Sequence, residues 1–172
     1  GDTLRREDHI ARLDRLAWDA KGRQIERMRR LVPQAQHLLA DARLALRQLS
    51  PGVDGKIAQV PQDLRSHPGL VFERARWRRL KGRNESAREL LWNNAESGAA
   101  IRAFWRERHF HVRDALHEGA VSQAYVIAKG HGFDSGLPFA QGEFLAGWTA
   151  LRFLMEPNQA LGHFIQLFEG VS

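Results

Sequence analysis

Three histidines lie within the stretch FWRERHFHVRDALHEG, residues 104–119, and histidine is the commonest metal ligand among side chains. Two imidazoles that share one metal on a helix stand four residues apart, so that both lie on the same side. His109 and His111 are only two residues apart and therefore point to different sides of a helix. The stretch predicts no metal site.

A second candidate for chemistry is the loop KGHGFDSGLPF, residues 129–139, which contains His131 and Ser135. A serine nucleophile needs a base within hydrogen-bond reach and an oxyanion hole, and a nucleophile elbow or a phosphate loop needs a strand before it. No strand pattern precedes this loop, and the chain contains no cysteine. We therefore expect no catalytic residue, no cofactor and no metal.

The stretch FERARWRRLKGR, residues 72–83, is the best candidate binding site. Arg74, Arg78 and Lys81 stand at i, i+4 and i+7, so they share one helix face, and Trp77 is close by. Guanidinium groups hold anions, and an aromatic ring stacks on a sugar or a base. We predict that Arg74, Arg78 and Lys81 bind substrate. The apolar neighbours of Trp77 favour a place in the core for that ring.

Positive charge is unevenly distributed along the 172 residues. Residues 1–113 carry 24 basic and 14 acidic side chains, whereas residues 114–172 carry 2 and 6. Such asymmetry indicates an anionic partner or a solvated, arginine-rich surface. No run of like charge is long enough to form a tail, and we consider nucleic acid an unlikely partner. No apolar run approaches the roughly 20 residues of a membrane helix.

Apolar residues recur at helical spacing along nearly the whole chain, and no convincing strand alternation occurs, which predicts an all-α protein. The six prolines fall where periodic segments start or stop. The predicted helices cover residues 4–20, 22–31, 33–49, 53–60, 68–81, 84–94, 99–117, 120–130, 138–154 and 157–169.

These ten helices form five hairpins, and a weak internal repeat supports the pairing. A residue after the first helix is followed five residues later by an apolar or small one, with spacings of 37 and 36 between units: Gly82 by Ala87, Gly119 by Ala124 and Met155 by Ala160. Gly22, 60 residues before Gly82, is a further candidate. Glycine caps a helix in the left-handed conformation, and alanine lets two backbones approach. The pattern predicts an α-solenoid of about five stacked hairpins, with a non-repetitive helical bundle as the alternative.

Two apolar stripes indicate how the later helices pack. The first places His109 on the face formed by Ile101, Trp105, Val112 and Leu116, which favours packing for this histidine. The second predicts a buried face at Phe144, Trp148 and Leu151, beside a small-residue side at Ala146, Gly147 and Ala150.

Five blocks together resemble the superhelical region of bacterial soluble lytic murein transglycosylases: HPGLVFERARWRRLKGRNESARELL, FWRERHFHVRDALHEG, AYVIAKGHG, FAQGEFLAGWTALRFL and ALGHFIQLFEGVS. The resemblance covers about residues 65–172, while residues 1–64 are compatible helical hairpins. It implies a helical solenoid that precedes a lysozyme-like domain, where one glutamate cleaves the MurNAc–GlcNAc linkage without water and leaves a 1,6-anhydromuramoyl end. It also implies a periplasmic location and peptidoglycan glycan strands as partner.

The family's catalytic Glu-Ser pair is followed by a Gly-Leu-Met-Gln type segment, which neither Glu85-Ser86 nor Glu96-Ser97 has. We therefore expect residues 1–172 to be one non-catalytic superhelical region of a longer chain that acts as a scaffold and holds substrate. A helical-repeat adaptor for proteins is one alternative, and it would carry an exposed apolar groove. An RNA-binding solenoid is another, and it would need base-reading side chains at matching repeat positions.

Overall fold

A computed structural model describes residues 5–92 and 100–170, and every regular element in these ranges is helical. The all-α prediction is confirmed. The ten α-helices are α1 (Arg6–Trp18), α2 (Gly22–Met28), α3 (Gln34–Arg47), α4 (Val53–Gln59), α5 (Pro68–Leu80), α6 (Asn84–Trp92), α7 (Ile101–His117), α8 (Val121–Lys129), α9 (Gly136–Arg152) and α10 (Pro157–Gly170). A 3-10 turn at Gln62–Leu64 precedes α5.

The helix boundaries agree with the sequence prediction to within a few residues at each end. The parts of the predicted helices at residues 4, 93–94 and 99 lie outside the described residues. In the described ranges, no helix combines the length and the apolar character needed to cross a bilayer.

Left-handed residues end every odd-numbered helix, at Ala20, Leu49, Gly82, Gly119 and Met155, with φ between 55° and 77°. At the first four, the N–H of the next residue donates to the carbonyl five residues earlier, which is the bond of a Schellman motif. At the fifth, the corresponding N–H donates to the carbonyl six residues earlier. A left-handed residue therefore follows each odd-numbered helix and begins the connection to the next helix.

The sequence repeat coincides in part with these turns. Gly82, Gly119 and Met155 adopt the predicted left-handed conformation, whereas the first hairpin turns at Ala20 and not at Gly22, which begins α2. The alanines that follow five residues later, Ala87, Ala124 and Ala160, are buried. Their small side chains let α6, α8 and α10 approach the helices that they contact.

The chain forms two compact units, residues 1–77 and 78–172, and their boundary falls within α5. In the first unit, α1 and α2 contact α3, and α3 contacts α4. Its core consists of two clusters, one around Leu13, Ile25 and Met28 and one around Leu39, Leu46 and Leu70. Trp77 packs half-buried against the second cluster, in agreement with its predicted place in the core.

In the second unit, consecutive helices contact each other from α6 to α10, and α6 also contacts α8. The core cluster joins α7, α8 and α9 through residues such as Trp105, Val112, Ile127 and Leu145. The stripe predicted for α7 is confirmed, because Trp105 and Val112 are buried and Leu116 packs beside them. His109 is half-buried, with its ring 5.7 Å from that of Trp105.

The face predicted to be buried in α9 is wrong. Phe144, Trp148 and Leu151 are 51%, 37% and 41% exposed, whereas the small-residue side is buried. The reason is the close approach of α10, since a Cβ on Gly147 would lie 2.8 Å from the ring of Phe164. Small residues, rather than the aromatic stripe, form the contact, so truncating Trp148 will cost less than the roughly 3–5 kcal/mol of a buried aromatic.

Candidate functional site

The three predicted substrate-binding residues follow one another along α5 and its end. Arg74 and Arg78 are half-buried on this helix, and Lys81 is exposed directly after it. Arg78 Nη1 donates to the carbonyl of Ser86 at 2.6 Å, so this guanidinium also fixes the start of α6. Arg74 belongs to the first compact unit, and Arg78 and Lys81 belong to the second.

An open polar recess of about 550 Å³ lies in the second unit, and Gly82, the residue after Lys81, contributes to its lining. The turns at Gly82 and Gly119 position it, because each delivers the loop that begins the next helix, α6 or α8. The side chains that line it are polar or charged, apart from Ala120: Arg83, Asn84, Glu85, Ser86, Arg88, Glu118 and Gln123. Such a lining suits a ligand rich in hydroxyl, amide and carboxylate groups.

The Glu-Ser pair at this recess is part of the helix start. Ser86 Oγ donates to the carbonyl of Arg83 at 3.2 Å, and Glu85 is exposed in the first turn of α6. The second pair, Glu96-Ser97, lies outside the described residues.

Arg88 lines the recess and joins three helices. Its guanidinium donates to Asp114 at 2.6 Å, to Glu118 at 2.6 Å and to Gln123 at 2.9 Å. Asn84 donates to the other oxygen of Asp114 at 3.0 Å. The arginine side chain is only 4% exposed, so these acceptors compensate a charge that is removed from water.

Similar arginine–carboxylate pairs recur along the chain. Arg79 donates to both oxygens of Glu107, at 2.7 and 2.8 Å, and this carboxylate raises the pKa of the guanidinium. In the first unit, Arg47 Nε donates to the buried Glu73 at 2.7 Å. Arginine is well suited to such sites because its planar fork matches a carboxylate. Part of the basic composition therefore serves internal contacts between helices.

The acidic side chains of α7 and of its C-terminal end lie against arginines. Glu107 is buried against Arg79, while Asp114 and Glu118 hold Arg88. The acids of this helix are thus the partners of arginines from α5 and α6.

A second cluster of titratable groups runs through the second unit as a hydrogen-bonded chain, which we call the histidine–glutamate chain. His131 Nε2 lies 2.8 Å from Glu143 Oε1, and His163 Nδ1 lies 2.6 Å from Glu143 Oε2. Tyr125 Oη lies 3.0 Å from His163 Nε2. The chain therefore links α8, the loop after α8, α9 and α10.

The partners fix which ring nitrogen of His131 carries a proton. The N–H of Phe133 donates to His131 Nδ1 at 3.0 Å, so Nε2 carries the proton that is donated to Glu143. Both nitrogens of this ring are thereby occupied. Ser135, which is exposed, donates instead to Asp134 at 3.2 Å, so it forms no nucleophile–base pair with His131.

The arrangement Tyr125–His163–Glu143 has the order of a proton relay, but its surroundings are those of a packing contact. Glu143 and His131 are 5% and 4% exposed. Burial, and secondly the charge of Glu143, raise the pKa of Tyr125, which disfavours an activated phenolate. The histidine–glutamate chain therefore holds helices together.

Among residues 5–92 and 100–170, no group of three or more histidine, aspartate and glutamate side chains is arranged to hold a metal. His111, the second histidine of the opening stretch, is fully buried. Within the described part of the chain, neither of its ring nitrogens finds a hydrogen-bond partner. Burial lowers its pKa to about 4, although Glu107 and Asp114 oppose the shift.

We expect this buried imidazole to make stability depend on pH. The unfolded chain binds a proton at His111 below its ordinary pKa of 6.5, and the folded chain binds it only near 4. The contribution of the neutral His111 to the free energy of unfolding is therefore fully present above pH 6.5. It is lost as the pH is lowered toward 4, and the loss amounts to about 3 kcal/mol in all. Urea denaturation at pH 7 and pH 5 measures the decrease.

The matched control is His111→Leu, which removes the titrating group and keeps an apolar side chain of similar size. The loss of stability between pH 7 and pH 5 should be smaller in this variant. An equal loss in both proteins would mean that other groups carry the whole effect.

Comparison of the chain with models of known families, with curated proteins and with solved structures gives no match. A functional proposal therefore depends on the residues and their geometry, together with the resemblance of the sequence blocks.

Proposed function

We propose that the chain is a non-catalytic, superhelical part of a bacterial soluble lytic murein transglycosylase. In this role its five hairpins stack into a solenoid that serves as a scaffold for a peptidoglycan-cleaving enzyme of the periplasm. The recess beside Lys81 holds peptidoglycan glycan strands and their peptide stems for an active site located elsewhere in the parent protein.

The positions of the resembling blocks support this proposal. The block at residues 67–91 covers α5 and most of α6, and the block at residues 104–119 covers α7 up to its left-handed glycine. The remaining three blocks cover α8, α9 and α10. The first block thus contains two helices and the turn between them, and each of the others lies mainly within one helix, as expected for a repeat of hairpins.

The observation that carries the binding role is the polar lining of the recess. Peptidoglycan presents hydroxyl, amide and carboxylate groups, and the recess offers Arg83, Asn84, Ser86 and Gln123. Lys81, one of the predicted binding residues, is exposed and directly precedes Gly82 of this lining. Charged contacts at such an open surface are weak and are screened by salt, which suits reversible holding of a polymer.

We expect the purified chain to cosediment with isolated peptidoglycan at low salt and to lose most of this association at roughly 0.3 M salt. Lys81→Glu should weaken the association several-fold. The control is Lys56→Glu, which makes the same charge change at an exposed position of α4 in the first unit and should bind like the parent chain. Equal weakening by both variants would indicate attraction by net charge alone.

RNA provides the competing ligand in the same experiment. Phosphate contacts also weaken with salt, so salt dependence does not distinguish the two polymers. RNA binding that persists at 0.3 M salt and prefers one sequence would overturn the peptidoglycan proposal in favour of an RNA-binding solenoid.

A protein-binding adaptor is the second candidate, and one observation favours it. The outward sides of α9 and α10 expose large apolar side chains, as an adaptor surface does.

A further inference from the structure

The last two helices of the second unit carry large apolar side chains with high exposed fractions. On α9, Phe144, Trp148 and Leu151 are 51%, 37% and 41% exposed at i, i+4 and i+7. On α10, Leu161, Ile165 and Phe168 are 58%, 47% and 73% exposed at the same spacing. We call these six residues the outer face.

Both stripes lie on the same side of the hairpin. Gly142 seats the ring of His131 and lies 200° around α9 from Phe144, at 100° per residue. His163 reaches Tyr125 of α8 and lies 200° around α10 from Leu161 and from Ile165. Each helix thus contacts earlier parts of the unit on one side and exposes its apolar stripe on the opposite side. The two stripes form one continuous surface because α9 and α10 pack against each other.

The surface is large enough for a stable interface. Phe153 and Met155 in the connecting turn extend it, being 42% and 76% exposed. If the full surface of each of these eight side chains is about 200 Å², their exposed fractions correspond to roughly 850 Å² of apolar area. A standard interface buries about 800 Å² per partner. A patch of this size exceeds what soluble monomers usually expose.

The charges around the outer face favour a self-complementary contact. Residues 153–168 contain one acidic side chain, Glu156, and no lysine or arginine. Arg152 and Glu169 border the two stripes with opposite signs. Two copies that meet across a two-fold axis would therefore bury apolar side chains and bring few like charges together, whereas a strongly charged partner would gain little here.

From this area and charge pattern we infer that the outer face is a dimer interface, occupied by the outer face of a second copy of the chain. The two α9–α10 hairpins pack face to face as four helices. This inference concerns the second unit alone and does not depend on the proposed peptidoglycan role.

Sedimentation equilibrium of the purified chain tests the inference directly. We expect a dimer at chain concentrations of roughly 10 μM, as for an ordinary specific interface. Leu161→Glu combined with Ile165→Glu should make the chain monomeric. Leu31→Glu, at a 49% exposed leucine of the first unit, is the matched control and should remain dimeric. A monomeric parent chain, open-ended oligomers, or a dimer that survives the double substitution would each overturn the inference.

Cross-linking tests the same contact without a disruptive charge. Because the chain has no cysteine, Leu161→Cys can form a disulfide only between copies. Mild oxidation should convert Leu161→Cys to covalent dimers and leave Leu31→Cys monomeric. Equal cross-linking of the two variants would contradict a specific outer-face dimer, even if the glutamate variant were unfolded.

Discussion

Replacing Gly142 by alanine should lower the free energy of unfolding by about 3 kcal/mol, because the added methyl group would overlap side-chain atoms that cannot move away. A Cβ at this position would lie 2.5 Å from Cγ and 2.8 Å from Cβ of His131. The ring cannot simply move aside, because Glu143 and the N–H of Phe133 hold both of its nitrogens. Chemical denaturation followed by circular dichroism measures the effect.

Gly162→Ala is the control, since it makes the same substitution in the same unit, in α10. A Cβ on Gly162 meets nothing within 4 Å, so the variant should gain up to about 1 kcal/mol from the better helix propensity of alanine. The two alanine variants should therefore shift stability in opposite directions. If Gly142→Ala were as stable as Gly162→Ala, the histidine–glutamate chain would not be the rigid contact described above.

The hairpin turns could be predicted from the sequence because their causes are local. A Schellman motif depends on a few consecutive residues, and glycine at Gly82 and Gly119 marks it clearly. Ala20, Leu49 and Met155 take the same left-handed conformation without glycine. Of these three, only Met155 is marked in the sequence, by its spacing from Gly119, and the sequence repeat points to Gly22 instead of Ala20 for the first turn.

The buried side of α9 could not be predicted because both sides of this helix have core-like residues. Phe144 and Trp148 form an apolar stripe, and Ala146 and Gly147 form a small-residue stripe. Periodicity shows that two faces exist, but it does not show which face a neighbouring helix covers. The close approach of Phe164 to Gly147 decides in favour of the small residues.

The polar clusters could not be predicted because their members are far apart in sequence. Arg88 and Asp114 are separated by 26 residues, and Glu143 and His163 by 20. One signal is present in the sequence, namely that Glu143 is the one acidic residue of the mostly apolar helix α9. A carboxylate in such a segment needs buried partners, and the histidines on either side were the available donors.

Replacing Arg88 by methionine should destabilise the chain by about 3 kcal/mol, because it leaves buried carboxylate charge without its partner. Methionine keeps much of the buried hydrocarbon volume but removes the donors to Asp114, Glu118 and Gln123. Asp114 is the main source of the cost, since its side chain is only 18% exposed, while that of Glu118 is 46% exposed and can turn to solvent.

Two further variants separate this cause from a loss of packing. Arg29→Met breaks a pair with Glu26 whose side chains are 55% and 63% exposed, and it should leave the denaturation midpoint unchanged because surface pairs contribute little. Arg88→Met with Asp114→Leu removes the stranded charge as well and should recover most of the lost stability. If the double variant were as unstable as Arg88→Met alone, the arginine would act through its packing and not through the carboxylates it holds.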